Sequence, residues 1–431
     1  MRVTVIGAGL AGCECAWQLA KEGVQVDLYE MKPFQFSPAH KNSDFAELVC
    51  SNSFKNDTLE FASGVLKNEL RMLDSLILSC ADATKLADAS SLTVDRQKFA
   101  RLVTEKIKSN PKIKIINKEV TDFDVTQPTV ICSGPLCSDE LANFIQNLTG
   151  ERLYFYDAIA PIVGADSIDY TCAFWQERFG KKGEGEYLNC PLNKQEYFEF
   201  VKALANAERV KLHDFETEVN FEGCLPVEVM AKRGGEVLRC GPMKTTGLEV
   251  SPETYAVVQL RKENKEGTML NMVGFQTNLT YTEQRRVFSL IPALKQAEWL
   301  RFGVMHRNTY INAPKYLNRY FQLKTQPNIM FGGQISGVEG YIESVASGYM
   351  CGVNMARLLK NKPMIDFGTE TCLGALANYL EAGSESNFQP MHINWGLLKP
   401  LDAPKNIKKA RIAQRSMERI REIKEELSNE N

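Results

Sequence analysis

The first thirty residues, MRVTVIGAGLAGCECAWQLAKEGVQVDLYE, place a glycine pattern between two apolar segments. Residues 3–6 predict a buried parallel strand, a helix follows, and VQVDLYE predicts a second strand that ends at Glu30. Gly7, Gly9 and Gly12 form G-x-G-x-x-G at the junction of the first strand and the helix. These glycines permit a tight turn, a close approach of the backbone to a pyrophosphate, and close contact between helix and strand.

The parts around the glycines also suit a nucleotide. The helix N-terminus presents N–H groups and the positive end of its dipole to phosphates. Glu30 lies 18 residues after Gly12 and is placed to accept hydrogen bonds from ribose hydroxyls. Strand, glycines, helix, strand and terminal acid together predict a bound dinucleotide rather than an ordinary glycine-rich turn. They do not decide between FAD and NAD.

A second glycine-rich turn, late in the chain, favours FAD. The segment PNIMFGGQISGVEGYIESVASGYMCGVNMARLL predicts a strand at residues 329–331, a turn and a helix. Gly332, Gly333, Gly337 and Gly340 crowd this turn, and backbone without side chains can touch a flavin. The dipole of the following helix can stabilise negative charge on a reduced flavin. The alternative is a routine turn between strand and helix.

The chain length and the spacing of these turns predict the domain organisation. A chain of 431 residues exceeds one typical core, so two domains are expected. We predict an α/β fold: a two-part, Rossmann-like FAD-binding domain of the glutathione-reductase type, with an inserted α+β substrate domain. The FAD-binding parts are expected at 1–138 and 301–404, the insertion at 139–300, and a basic helix at 405–431. Leu66, Leu70, Leu73 and Ile77 predict one amphipathic helix.

Composition excludes several classes of protein. The net charge is −2, so a nucleic-acid partner would have to meet a local patch rather than a globally basic surface. No apolar run is long enough to span a bilayer, and the N-terminus lacks the pattern of a signal peptide, so no membrane partner and a cytoplasmic location are expected. The twelve cysteines contain no C-x-x-C and no four-ligand zinc spacing, so no metal site is expected.

The C-terminal segment is locally basic. Residues 405–424 hold eight Lys or Arg against two Glu, with an apolar stripe at Met417, Ile420, Ile423 and Leu427. Two interpretations stay open: a solvated helix face, or contact with an anionic partner such as RNA phosphates.

Two cysteines stand out from a set expected to be reduced and mostly buried. Cys50 lies in LVCSNSF, in the loop after the second strand. Cys224 lies in FEGCLPVEVMAKRGG, upstream of Lys232 and Arg233. Cationic neighbours lower the pKa of a thiol and raise its thiolate fraction. Both are therefore candidates for a reactive thiol.

Several longer segments resemble one family. GAGLAGCECAWQLA, YEMKP, FAELVCSNSF, FEGCLPVEVMAKRG, AVVQL, NMVGFQT, FGVMHRNTYIN and FGGQISGVEGYIES are similar to the folate- and FAD-dependent RNA uracil-5-methyltransferases. The likeness runs from Met1 to about Arg357 and more loosely to the end. It implies methylation of uracil C5 with methylenetetrahydrofolate as carbon donor, reduced FAD as methylene carrier and hydride source, and NAD(P)H as the ultimate reductant.

The resemblance also implies roles for particular residues. Cys224 is expected to add to uracil C6, which makes C5 nucleophilic, and Cys50 to remove the C5 proton; the assignment could be reversed. His306 is expected to pack against the folate ring near the flavin; the alternative for His306 is a core histidine. Arg307 and Asn308 are expected to bind the folate carboxylate or flavin edge groups. The remaining expected cofactor-binding positions are Gly7, Gly9, Gly12, Glu30, Gly332, Gly333, Gln334 and Gly337.

Departures from the family pattern concern the RNA. In tRNA-acting members the turn after Gly-Pro-Met-Lys reads Pro-Val-Gly-Leu, whereas residues 245–248 read Thr-Thr-Gly-Leu here. The segments SPETYAVVQL and ASSLTVDR differ as well. A paralogous branch methylates 23S ribosomal RNA by the same chemistry, so the target is expected to be a 23S rRNA or a tRNA T-loop uridine, leaning to the former.

Two rival functions remain. A plain FAD oxidoreductase would use Cys50 and Cys224 as a redox pair, which the absence of C-x-x-C disfavours. A flavin-stabilised RNA-binding protein without catalysis would have no need to retain both cysteines. The sequence does not indicate the oligomeric state.

Overall fold

The computed structural model describes residues 1–37, 39–86, 90–150, 153–158, 160–210, 225–262, 267, 269–303, 305–383, 385, 388 and 390–429. The chain divides into two compact units. Unit 1 comprises residues 1–49, 53–154 and 309–431, and unit 2 comprises residues 50–52 and 155–308.

The strands follow in chain order. They are β1 (Arg2–Ile6), β2 (Gln25–Glu30), β3 (Ser53–Asn56), β4 (Ser91–Thr93), β5 (Ile113–Asn117), β6 (Thr129–Ile131), β7 (Tyr154–Ala158), β8 (Ile162–Gly164), β9 (Phe174–Trp175), β10 (Tyr187–Leu192), β11 (Ala256–Lys262), β12 (Met269–Met272), β13 (Trp299–Arg301), β14 (Met305–Thr309), β15 (Gln322–Leu323) and β16 (Gln326–Phe331).

The helices are numbered in the same way. They are α1 (Leu10–Lys21), α2 (Ala62–Met72), α3 (Leu76–Ala83), α4 (Arg96–Ser109), α5 (Asp139–Thr149), α6 (Lys194–Ala205), α7 (Val227–Arg233), α8 (Val237–Cys240), α9 (Tyr281–Phe288), α10 (Ala313–Tyr316), α11 (Tyr341–Leu359), α12 (Cys372–Ala382) and α13 (Lys405–Asn429). In the part of the chain that the structure describes, no helix combines the length and the apolar character needed to cross a membrane.

Unit 1 is built on a six-stranded sheet in the order β15-β16-β6-β1-β2-β5. All neighbours pair in parallel except β15, which runs antiparallel to β16 at the edge. Val3, Val5 and Leu28 are fully buried, as expected for a parallel sheet covered on both faces. Because β16 follows the insertion and β1 begins the chain, the Rossmann-like domain is made of two sequence-distant parts.

The segment predicted as one amphipathic helix is two helices, so that prediction is wrong. α2 ends at Met72 and α3 begins at Leu76. Asp74 between them adopts a left-handed φ of 59°, and the Ser75 side chain caps α3 by accepting from the Leu78 N–H. Leu73 and Ile77 keep the helical spacing of apolar residues across this turn. The apolar pattern is therefore continuous in the sequence, although one helix ends and a second begins.

Unit 2 contains a six-stranded sheet in the order β13-β8-β12-β11-β10-β9, with antiparallel pairing throughout. Its hydrophobic core is separate from that of unit 1 and includes the buried rings of Tyr197, Phe200, Phe275 and Phe288. Helices and an antiparallel sheet in one unit make it α+β. The predicted fold class, a two-part Rossmann-like domain with an α+β insertion, is confirmed.

The limits of the units differ from those expected at 139 and 300. Unit 2 begins at Phe155 and ends at Asn308, and it also includes Cys50–Asn52. The difference at the first limit comes from α5, whose buried Leu141 and Ile145 belong to the core of unit 1.

The C-terminal helix α13 packs on unit 1. Ile412, Ile420 and Ile423 are buried in the core of this unit, and the Ser416 hydroxyl donates to the buried carboxylate of Glu69 on α2. Half of the stripe predicted from the sequence, Ile420 and Ile423, is fully buried, whereas the basic residues Lys409, Arg411 and Arg421 are exposed.

Candidate cofactor and active site

The first glycine turn has the geometry that its sequence pattern demands. Gly7 adopts a φ of 97°, and a Cβ there would lie 2.5 Å from the carbonyl oxygen of Cys132, the residue that follows the neighbouring strand β6. A Cβ on Gly12 would lie 1.8 Å from the carbonyl oxygen of Gly7, so α1 crosses the turn closer than any side chain permits. Each of these two positions therefore requires glycine for packing.

Gly9 differs from its two neighbours because the space beside it is open. A Cβ built on Gly9 meets no atom of the described residues within 4 Å. Gly9 is the N-cap of α1 but has no side chain to cap it, and the first turn, Leu-Ala-Gly, contains no acid. Uncapped N–H groups at a helix N-terminus beside free space form the cradle that a pyrophosphate occupies. The residues present thus fit a dinucleotide.

Glu30 braces this turn from the end of β2. The carboxylate is 7% exposed; its Oε2 accepts from the Ala8 N–H at 2.8 Å and its Oε1 from the Lys32 N–H at 3.0 Å. A carboxylate oxygen can accept more than one hydrogen bond, so both oxygens retain capacity for a ribose hydroxyl. Glu30 thus has a structural task that its spacing from Gly12 does not reveal, and ribose binding stays a prediction.

The second glycine turn lies against the first turn of α1. A Cβ on Gly333 would lie 3.0 Å from the Cβ of Ala11, and the Gly333 N–H donates to the Ser347 hydroxyl at 2.6 Å. Gly333 and Gly337 have φ values of 81° and 96°. The structure therefore brings together two turns more than 320 residues apart in sequence.

Close packing of α11 on α1 holds the two turns in place. A Cβ on Gly348 would lie 2.3 Å from the carbonyl oxygen of Ala11, and one on Gly352 would lie 2.7 Å from that of Cys15. Two glycines on one face of α11 let the helix backbones approach directly. Gln334 is half-buried at the start of a 3-10 turn between Gly333 and Gly337.

The cysteines separate sharply by exposure. Of the eleven in the described residues, only Cys50 and Cys240 are exposed, and seven are buried. Burial raises the pKa of the Cys13, Cys15 and Cys351 thiols well above the ordinary value. Those three are packing residues, as expected from the sequence, whereas Cys50 is accessible for chemistry.

The second candidate nucleophile, Cys224, lies outside the described residues. Its counterpart Cys50 is exposed and lies in the short segment that clusters with unit 2.

Comparison with known proteins decides the family. Residues 2–363 match the family model described as glucose inhibited division protein A. A protein of Natranaerobius thermophilus named methylenetetrahydrofolate–tRNA-(uracil-5-)-methyltransferase TrmFO is 53% identical over 98% of this chain and 99% of its own length. A protein of the same name from Pelotomaculum thermopropionicum is 52% identical over 99% of both chains. The chain belongs to the TrmFO family.

This assignment confirms the family that the sequence motifs indicated. The TrmFO family consists of folate- and FAD-dependent uracil-5-methyltransferases, so the chain is an enzyme of that class. Among solved structures, GidA of Aquifex aeolicus superposes with a TM-score of 0.69 over 98% of this chain and 73% of that one. At 15% identity, this likeness supports the fold alone.

The TrmFO motif FGVMHRNTYIN lies on the link between the insertion and unit 1. His306 and Asn308 belong to β14, which pairs with β7 in a two-stranded sheet. Their contact with folate stays a prediction. His40, by contrast, has a local partner: its Nδ1 lies 2.5 Å from the Ser37 hydroxyl.

Glu343, just after the second glycine turn, is a buried acid that the sequence motifs do not single out. It occupies the first turn of α11, is fully buried, and has one carboxylate oxygen without a hydrogen-bond partner in the described structure. The available signal was an acid three residues after Gly340 in an otherwise small and apolar segment. The spacing of the glycines gives no indication that the acid at position 343 is buried.

Proposed function

We propose that this protein transfers a one-carbon unit from methylenetetrahydrofolate to C5 of a uridine in tRNA, forming 5-methyluridine. Support comes from identity of 50–53% to proteins named for that activity, extending over 97–99% of this chain in four relatives. A second support is that the chain retains both glycine turns and both candidate cysteines.

The two glycine turns of unit 1 are the parts that would hold FAD. Gly7, Gly9 and Gly12 present the α1 N-terminus to the pyrophosphate, and Gly332 and Gly333 keep the second turn free of side chains. When bound and reduced, FAD supplies the one-carbon carrier and the two electrons that methylation requires, with NAD(P)H as the ultimate donor.

The cysteines supply the chemistry that uracil itself lacks, because C5 is a poor nucleophile. The Cys224 thiolate adds to C6, forming an S–C6 bond and placing the electron pair of the C5–C6 bond at C5. C5 then bonds to the carbon unit, and Cys50 removes the C5 proton. The bond between that carbon and its carrier would break, and the two electrons that reduced FAD supplies would complete the methyl group. The S–C6 bond breaks as the double bond returns, which frees Cys224 for another turnover.

The names of the relatives and the sequence departures favour different RNA targets. The names of the relatives specify tRNA, and the identity spans the whole chain. Residues 245–248, which read Thr-Thr-Gly-Leu, favour the second candidate, a uridine of 23S rRNA. The same reaction chemistry serves both, so a direct comparison of the two RNAs is required.

The test is transfer of label from methylenetetrahydrofolate. FAD-loaded protein is incubated with [14C]-methylenetetrahydrofolate, NADPH and either a tRNA transcript or a 23S rRNA transcript. Label in 5-methyluridine from tRNA is the expected result, with none in a transcript whose target uridine is replaced by cytidine. Label only in 23S rRNA would show that the target is ribosomal RNA and not tRNA. NADPH oxidation without label in either RNA would contradict the methyltransferase proposal and favour a plain FAD oxidoreductase.

Variants test the cysteine roles in the same assay. Cys224→Ala and Cys50→Ala are expected to lower methylation by at least about 100-fold, in line with loss of a nucleophile or a general base. Cys240→Ala is the matched control, since it removes the other exposed thiol of the described residues. A Cys224→Ala enzyme that methylates at the parental rate would contradict the assigned nucleophile.

A further inference from the structure

Phe179 is a large apolar side chain that unit 2 leaves in solvent. It is 84% exposed, more than any other large apolar side chain in the described residues. It lies in the loop between β9 and β10, and its backbone adopts a left-handed φ of 66°. This conformation is strained for a bulky residue. Because neither burial nor backbone preference accounts for a phenylalanine at this position, its ring indicates contact with another molecule.

A second loop, residues 244–248, supports the exposed ring. The Phe179 N–H donates to the Gly247 carbonyl oxygen at 2.7 Å, and a Cβ on Gly247 would lie 3.0 Å from atoms of the ring. The neighbouring Arg178 guanidinium donates to the carbonyl oxygens of Lys244 and Thr246 at 3.0 and 2.6 Å. The departure from the family pattern at residues 245–248 therefore lies at the support of an exposed aromatic ring.

Aromatic and basic side chains adjoin each other along β9, which stands at one end of the sheet order of unit 2. The Lys182 ammonium lies 4.7 Å from the centre of the Phe174 ring, and the Lys262 ammonium lies 4.9 Å from the centre of the Trp175 ring. Both rings are half-buried, and Lys182 is exposed. With the exposed loop residues, they form what is called the β9 surface: Phe174, Trp175, Phe179, Lys181, Lys182 and Lys262.

The β9 surface is basic within a chain whose net charge is −2. Residues 174–184 carry three basic residues against two acidic ones, and Lys262 adds a further positive charge. In the supporting loop, Lys244 is offset by Glu249. An anionic polymer that a chain of this overall charge binds must meet such a local patch.

The β9 surface belongs to the same unit as Cys50. Residues 50–52 cluster with unit 2, and the Asn52 side-chain amide donates to the Lys262 carbonyl oxygen at 3.3 Å. Lys262 is also the residue whose ammonium lies over Trp175. The segment that carries the exposed candidate base is thus joined to the β9 surface within one unit. A polymeric substrate that reaches Cys50 has neighbouring nucleotides to place on this surface.

We propose that the β9 surface binds an unpaired segment of the substrate RNA, with one base stacked on Phe179. Every base has a flat π face that stacks on an aromatic ring, and the lysines beside the ring suit phosphates. The inference rests on the RNA substrate of the proposed function but on no step of methyl transfer. Phe179 is a binding residue and takes no part in the reaction.

The experiment measures RNA binding by FAD-loaded Phe179→Ala and Phe179→Trp. Filter binding to a tRNA transcript and to a 23S rRNA transcript gives dissociation constants at several salt concentrations, without folate or NADPH. For the transcript that the parent binds more tightly, Phe179→Ala is expected to raise the dissociation constant at least about fivefold, the lower end of what one stacked base contributes. Phe179→Trp keeps a ring face and is expected to bind like the parent.

A double variant, Lys181→Met with Lys182→Met, tests the phosphate contacts separately from stacking. It is expected to reduce the salt dependence, since each lost contact with a single strand removes about 0.7 from the slope of log K against log salt. Phe179→Ala is expected to leave this slope unchanged, because the ring carries no charge. A slope unchanged in the double variant would contradict the part assigned to the two lysines.

Tyr170→Ala is the matched control, because Tyr170 is another exposed aromatic residue of unit 2 but follows an acid, Asp169. It is expected to bind RNA like the parent. Stacking on Phe179 is overturned if Phe179→Ala binds like this control, or if Phe179→Trp loses as much affinity as Phe179→Ala. It is also overturned if Phe179→Ala keeps its RNA affinity and instead raises the dissociation constant for methylenetetrahydrofolate.

Failure of the inference and failure of the proposed function give different results. A parent protein that binds RNA but transfers no label would contradict methylation, while the comparison of dissociation constants would still decide the part of Phe179. A parent that methylates RNA and shares its affinity with Phe179→Ala would contradict the inference alone. A parent that binds neither transcript would contradict the β9 surface as an RNA-binding site.

Discussion

Gly9 and Gly12 stand three residues apart in one turn but meet different requirements. Gly12 is required by packing, since its Cβ would lie 1.8 Å from the Gly7 carbonyl oxygen, whereas beside Gly9 the space is open. Gly12→Ala is expected to lower both FAD binding and the unfolding free energy, by about 2 kcal/mol or more for an overpacked site. Gly9→Ala is expected to weaken FAD binding only.

Parallel FAD titration and thermal unfolding of the two apoproteins separate these effects. Gly9→Ala serves as the internal control because it adds the same methyl group to the same turn. Equal losses of stability in both variants would show that Gly9 is also a packing glycine. Unchanged FAD affinity in Gly9→Ala would mean that the pyrophosphate does not approach this position.

Lys67 is the most completely buried cation of unit 1. It is 0% exposed, and its ammonium donates to the carbonyl oxygens of Phe54, Asn56 and Ser63 at 2.7–2.9 Å. Lys67→Met removes three donors from buried acceptors and is expected to lower the unfolding free energy at pH 7 by about 2 kcal/mol. Denaturant unfolding measures it, with the exposed Lys106→Met as control; a loss no larger than that of the control would contradict the assignment.

The same residue gives the stability a pH dependence. Burial lowers the pKa of Lys67 to about 8, from an ordinary value of 10.5. Between these values the unfolded chain binds more protons than the folded one, so the contribution of Lys67 to the unfolding free energy rises with pH. The deficit of Lys67→Met relative to the parent is therefore expected to grow from pH 8 to pH 10 in the same unfolding experiment. A constant deficit would argue against the lowered pKa.

At the scale of the element, sequence patterns locate helices better than their ends. The strand–glycine–helix–strand order of residues 2–30 was predictable because each glycine has a distinct steric task. The break between α2 and α3 was not, because Leu73 and Ile77 keep helical spacing across a turn. What ends α2 is the left-handed Asp74 followed by the Ser75 cap, a signal weaker than the apolar period.

The first half of α13 carries basic residues and no acid of its own. No acid occurs from Lys405 to Arg415, and Lys409 and Arg411 are exposed. The dipole adds positive character to this end. Reversing Lys408, Lys409 and Arg411 to Glu is expected to weaken tRNA binding at least about tenfold and to reduce the salt dependence, since each lost phosphate contact removes about 0.9 from the slope.

Filter binding at several salt concentrations measures both quantities. The control reverses three exposed basic residues of α4: Arg101, Lys106 and Lys108. FAD content serves to verify that each variant retains the cofactor. Equal weakening in the two triple variants would indicate a general charge effect, and α13 would then be a solvated face rather than an RNA-binding one.

At the scale of the whole molecule, the two-part architecture was predictable and its limits were not. Two glycine turns at opposite ends of the chain imply that the chain returns to one nucleotide site, and Gly333 does lie against Ala11. The limits depend on which core a boundary element joins. Leu141 and Ile145 of α5 are ordinary apolar residues, and only packing assigns them to unit 1.

Because the two units have separate cores, we expect FAD to stabilise unit 1 more than unit 2. The buried cluster of unit 1 and that of unit 2 share no residue, and both glycine turns belong to unit 1. When FAD is added to the apoprotein at about 100 times its dissociation constant, the free energy of any local opening that releases FAD rises by about 2.7 kcal/mol. Hydrogen exchange should therefore slow by up to about 100-fold in residues 5–13 and 331–345, and much less in β10 and β11. Equal protection of β10 and β11, or protection confined to them, would place the cofactor on unit 2 and contradict the assignment of both glycine turns.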